Sequence, residues 1–123
     1  MLHDFTDRFA AFILGSHQAD AWAAFVMREQ LHPGAAFEIL YEGFMRDVTR
    51  TIAVALAAIA GLEPDNPRVI VRAQSIIGEI LVFRVGKTAA LRTAGWKSYS
   101  PGHLSLIQSV VRENVDRIVG GVA

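Results

Sequence analysis

At 123 residues the chain has the size of one ordinary domain, and twelve basic residues against twelve acidic ones leave no formal net charge. That balance argues against a nucleic-acid footprint built on surplus Lys and Arg, and the absence of Cys excludes disulfides, thiol catalysis and thiolate metal sites. With 52% hydrophobic residues, 20% charged residues and a mean hydropathy of +0.32, a small monomer has too little polar cover, which implies an apolar patch hidden in an oligomer, an apolar cavity, or both.

In chain order, Leu2, Phe5, Phe9, Phe12 and Ile13 share one face and predict a short amphipathic helix over Leu2 to Leu14, ended by Gly15. A second helix is expected from about Gln18 to Leu31, with Trp22, Phe25, Val26 and Glu29 along one side, and His32-Pro33 stops it. The third, from about Ala35 to Ala60, carries a stripe running from Phe37 and Tyr41 to Leu56 and Ile59, with Glu38, Glu42, Arg46 and Arg50 as an i,i+4 ladder on the other side. Gly61 closes it, and Leu62 to Asp65 is a tight acidic turn.

The longest predicted helix lies between Asn66 and Gly95. Asn66 is its N-cap, Pro67 its first residue and Gly95 its left-handed stop. Ile70, Ile77, Leu81 and their neighbours form its apolar face, while the slim residues Ser75, Gly78, Val82, Gly86 and Ala89 climb an adjoining side. Each Gly inside a helix costs about 1 kcal/mol against Ala, so that strip points to another backbone passing close by. After the turn WKSYSPGH, Ser100 caps a last helix from Pro101 to about Val119. One of its rows holds Leu104, Ile107, Val111 and Val115, and a second holds Leu106, Val110 and Asn114, which predicts burial on two sides. Gly120 to Ala123 are expected to fray. The β-branched runs VIV and SVV sit inside helical patterns, so no strand is predicted.

FVMREQLHPGAAFEILYEGFM at Phe25 to Met45, IIGEILVFRVGKTAALRTAGW at Ile76 to Trp96 and the following SYSPGHLSLIQSVVRENVDRI resemble the C-terminal domain of the CecR (CerR) branch of TetR-type transcriptional regulators. The similarity covers nearly the whole chain. It implies an all-α, five-helix domain over residues 1–123 whose last two long helices form a four-helix bundle with those of a second copy. It further implies a homodimer that binds a small-molecule effector among its earlier helices. Regulators of this type begin with a helix-turn-helix DNA-binding domain that these 123 residues lack, so the expectation is that this chain itself binds no nucleic acid.

Within that frame Trp22, Phe25, Glu29, Tyr41, Phe44, Met45, Phe83 and Arg84 are the candidates for the ligand pocket. Ser75, Gly78, Val82, Gly86, Ala89, Leu106, Val110 and Asn114 are the candidates for the subunit seam. Arg84 stands on an otherwise aliphatic side, where an unpaired charge is costly. It needs Glu79 of the partner subunit, Glu29, Glu42 or an acidic effector as its counterion. Of Arg28 and Glu29, adjacent on a helix, Glu29 is expected inward. Trp22 and Tyr41 suit either a cavity wall or plain core. His3, His17, His32 and His103 are too scattered for a metal motif, and no cofactor is implied. No nucleophile elbow or phosphate-cradling loop is present, so an enzyme is not expected. No apolar run reaches the length of a membrane span and MLHDFTDRF does not read as a signal peptide, which predicts a cytoplasmic protein without membrane contact. The alternative to an effector sensor is a helical dimerisation module without a ligand.

Overall fold

A computed structural model describes residues 1–15 and 19–122; the expected helix start at Gln18, as well as His17, lies outside the described residues. The architecture is all-α, and no strand occurs among the described residues. Helices α1 (Leu2–Gly15) and α2 (Ala19–Leu31) come first. Helix α3 (Ala35–Leu40) then runs through a π-helical turn, Tyr41–Met45, into α4 (Arg46–Ala60). Helices α5 (Pro67–Val85), α6 (Lys87–Ala94) and α7 (Pro101–Val122) complete the chain.

The punctuation acts as its chemistry predicts. Asn66 Oδ1 accepts from the Arg68 N–H at 3.0 Å ahead of Pro67, while Gly61 and Gly95 take left-handed φ values of 69° and 76°. Ser100 Oγ accepts from the His103 N–H at 3.1 Å, and the Ser100 N–H donates back to His103 Nδ1 at 3.2 Å. This is a capping box in which an imidazole replaces the usual Glu or Gln. The same imidazole stacks on Trp96 with ring centroids 3.9 Å apart, so the turn before α7 is tied to the helix it starts.

The core lies where α1, α4, α5 and α7 meet. Ile13, Ile52, Leu56, Ile76, Ile80 and Val115 are fully enclosed there. Polar contacts hold its α1–α7 rim: Gln108 Nε2 donates to the Asp7 carbonyl at 2.9 Å, Arg112 pairs with the Asp7 carboxylate, and His3 meets Asp116 at 2.7 Å.

Four expectations change. The long helix is not one rod, because it breaks at Gly86, where φ is −98° and ψ 28°. A Cβ there would lie 2.9 Å from the Val82 carbonyl oxygen, so Gly86 is explained by its own helix rather than by a neighbouring subunit. The third helix is continuous but changes phase at the π turn, since one extra residue per turn rotates everything after it. As a result Ile52, Ala53, Leu56 and Ala57 are buried while Ile59 is exposed. Phe12 leaves the buried face of α1, where Ala10 and Leu14 take its place. Finally, α7 continues through Gly120 and Gly121, carried on by the packing of Ile118 and Val119 against the core.

Candidate functional site

A cavity of about 300 Å³ lies between α1, α2, the α3–π–α4 rod and α5, at the lower end of the range of about 300–1,000 Å³ found for small-molecule sites. Its walls are mostly apolar. Phe9 and Ile13 come from α1, Trp22 and Val26 from α2, Phe44, Met45 and Val48 from the rod, and Ile77 and Leu81 from α5. Trp22 meets Phe44 edge to face at 5.7 Å and Phe12 at 5.8 Å, while Phe37 stacks on Tyr41 at 6.1 Å. Such pairs are stabilising beyond their area, so the aromatic wall has a defined shape. The polar groups are few: Gln30, Tyr41, Thr49 and Gln74.

The π-helical turn contributes Tyr41, Phe44 and Met45 to this wall. A wider turn leaves i→i−4 bonding locally, and single turns of this kind occur often at functional sites. Here the turn lets both Phe44 and Met45 reach the cavity before the rod re-enters the core at Ile52. Thr49 returns its hydroxyl to the Met45 carbonyl at 3.3 Å, satisfying a group next to the altered turn.

Of the eight pocket candidates, Trp22, Tyr41, Phe44 and Met45 line this cavity, and the other four do not. Phe25 lies under the Arg28 guanidinium, 5.5 Å from its ring centre. Glu29 is half-buried, with its carboxylate near Gly34. Phe83 packs edge to face on Tyr99. Val26, Phe37 and Gln74 also line the wall, though the sequence marks the first two only as members of apolar stripes and not as pocket residues. The first two stand four residues from Trp22 and Tyr41, a spacing that signals a shared face.

Arg84 lies at a separate, more polar cleft of about 310 Å³ bordered by Asp20, Lys87, Ser98 and Tyr99. Its side chain is only 4% exposed. Nε donates to the Ile13 carbonyl at 2.8 Å, and Nη1 bonds the Asp20 carboxylate, which Lys87 also approaches at 3.4 Å. The counterion is therefore Asp20, in place of Glu79, Glu29 or Glu42. Burial pushes the Asp20 carboxyl up, but Arg84 and Lys87 together hold it below its ordinary value. Tyr99 donates its hydroxyl to the Phe83 carbonyl at 2.6 Å, and burial raises its pKa against the opposing pull of Arg84. This constellation fastens the start of α2 to the end of α5.

A third feature is the outer face of α5 and α7. Ser75, Gly78 and Val82 of α5 are exposed there, as are Leu106 and Val110 of α7, while Ala89, also exposed, lies beyond the Gly86 break on α6. Val71 and Val85 extend the apolar strip. Gly78 has open space where a Cβ would stand. Asn114 Nδ2 donates to Glu79 Oε2 at 2.8 Å between the two helices, leaving the buried Glu79 Oε1 without a partner among the described residues. Burial raises the Glu79 pKa, and the Asn114 bond offsets this in part. Among the described residues no three His, Asp or Glu side chains gather as a metal site, and no described helix is long and apolar enough to cross a membrane.

Residues 1–122 match the family described as the HTH-type transcriptional dual regulator CecR, C-terminal domain. The chain is 32% identical over 99 residues to the HTH-type transcriptional dual regulator CecR of Shigella flexneri. The matched segment takes in 80% of this chain and 44% of that protein, so the chain spans less than half the length of its curated relative.

Proposed function

The chain belongs to the CecR C-terminal domain family, and on that premise we propose that it serves as the effector-sensing and dimerising part of a cytoplasmic transcriptional regulator. DNA contact would come from a helix-turn-helix segment outside these residues. The observation that carries the sensing role is the apolar cavity walled by Trp22, Phe44 and Met45 and closed on one side by a π-helical turn. Its shape and sparse polar groups suit a small apolar or amphipathic molecule. An occupant touches α2, the α3–π–α4 rod and α5 together, so it favours one arrangement of these helices over others. A ligand shifts an equilibrium only by its differential affinity for the two arrangements, and these contacts supply that difference. Nothing in the site brings a nucleophile and a base together, which favours a binding role over catalysis.

Dimerisation is the second half of the proposal, with a second copy of this chain as the occupant of the α5–α7 face. A two-fold interface needs a self-complementary patch. Small residues along α5 beside the exposed Val82, Leu106 and Val110 allow two such helix pairs to approach closely. Gly78→Leu tests this, because a Cβ at that position has open space within its own chain. The expected result is an intact fold, read by circular dichroism, whose mass by sedimentation falls from dimer to monomer. An unchanged dimer mass removes α5 as the seam. The sensing half is tested by thermal shift across an apolar ligand library: stabilisation lost in Phe44→Asp supports it, and no stabilisation by any member contradicts it.

A further inference from the structure

The apolar cavity does not end at its polar rim. Beyond Tyr41, Thr49 and Gln74 lies a second recess of about 230 Å³, and these three residues line both spaces. The two recesses are thus neighbours divided by a collar of one phenol, one hydroxyl and one carboxamide. The far side of the collar is different in kind. Arg46 and Arg50, one turn apart on α4, face the recess together with Asp65 from the loop before α5. Arg46 is engaged by Glu42 at 2.7 Å, whereas Arg50 makes no ion pair among the described residues.

We infer that the two recesses form one site for an amphipathic organic acid, its apolar body in the aromatic cavity and its single anionic head on Arg50, with Arg46 beside it. This inference rests on the reading of the apolar cavity as the effector site. The order along the site, apolar wall, neutral polar collar, then cations, follows the order of groups along such a molecule. With Arg46 paired to Glu42, the recess offers one guanidinium without an ion-pair partner among the described residues, that of Arg50, beside the Asp65 carboxylate; one such cation matches one head and disfavours a polyanion. A guanidinium gives a carboxylate, sulfate or phosphate head short charge-assisted bonds. An acidic effector is one of the counterions the sequence allows for Arg84, but Arg84 bonds the Ile13 carbonyl and Asp20 instead, in a cleft that shares no lining residue with the cavity. At about 30 Å³ per heavy atom, the volume a water occupies in the liquid, a 300 Å³ cavity holds a body of roughly ten carbons.

The test titrates the full chain at pH 7.5 with decanoate and with decan-1-ol, in the wild type and in Arg50→Met, by calorimetry. Both ligands offer the same apolar body, and only one carries a charge. Arg50 is exposed on α4, so its replacement by an unbranched apolar side chain leaves the core untouched, as circular dichroism of the variant will verify. The expected result is that decanoate binds the wild type at least about tenfold more tightly than decanol, the scale of one charge-assisted contact. Arg50→Met then removes that preference while leaving decanol affinity unchanged. Equal affinity for acid and alcohol in the wild type overturns the head-group assignment and leaves the apolar cavity standing. A preference for the acid that persists in Arg50→Met also overturns it. Failure of both ligands to bind overturns this inference together with the effector reading on which it rests.

Discussion

Helix α5 buries Val69, Ala73, Ile76, Ile80 and Arg84, whereas α3 and the π-helical turn after it bury no residue at all. Both stretches carry apolar residues at helical spacing, so the contrast does not come from composition. It comes from what lies opposite. The apolar face of α5 meets α1, α4 and α7, which close around it. Phe37, Tyr41 and Phe44 face a space instead, with α2 on its far side. Close packing of one half supplies stability and rigidity, and the looser half is free to respond to an occupant, because ligand-responsive elements are drawn from the less stable parts of a fold.

That contrast is broken most directly by truncating one residue from each half. Ile76→Ala removes a fully enclosed side chain and is expected to cost about 2–5 kcal/mol. Phe37→Ala, at the half-buried cavity wall, should cost about 1 kcal/mol despite deleting more atoms. Urea unfolding midpoints measure both, and a Phe37 cost equal to that of Ile76 would mean that the cavity side is as well packed as the core.

An intermediate effect belongs to the fastening between the two halves. Arg84→Met leaves the Ile13 carbonyl without its donor, for an expected loss of about 1–3 kcal/mol. The acid dependence of this fastening has a definite sign. The folded-state pKa of Asp20 is depressed, so the contribution of its charge is complete above the unfolded value of about 3.9 and is lost as pH falls through the lower folded value. The stability difference between the wild type and Asp20→Asn should therefore stay level from pH 8 to about pH 4 and disappear only below it. A difference that vanished near pH 6 would show that Asp20 is not what holds Arg84.

Much of the fold was legible because caps and periodicity are local. Asn66, Pro67, Gly61, Gly95 and Ser100 each act through neighbours a few residues away, so their roles could be read in order along the chain. The break at Gly86 was not legible, since the glycine fitted a small-residue strip as well as it fits a kink, and only the position of the Val82 carbonyl separates the two. The π turn was hidden for a similar reason: residues 35–60 keep a helical pattern on both sides of it, and a one-residue change of phase is small beside ordinary scatter in a stripe. Half of the pocket candidates line the cavity because they are aromatic or flexible apolar residues on the rod and on α2. Arg84 was misplaced because a charge on an aliphatic face shows that a partner exists without showing which one. Its actual partner, Asp20, lies 64 positions away in the chain, beyond the reach of local spacing. Arg50 reads in the sequence as one rung of an i,i+4 ladder, because only the fold places the loop at Asp65 and the base of α5 across from it.

Amide hydrogen exchange, with and without a saturating apolar ligand such as decan-1-ol, tests the account most directly. The prediction is that amides of residues 35–49 exchange faster than those of residues 69–80 in the free protein, and that the ligand slows the first group while leaving the second nearly unchanged. Equal protection of the two stretches in the free protein, or slowing confined to residues 69–80, would contradict the division into a packed half and a responsive one.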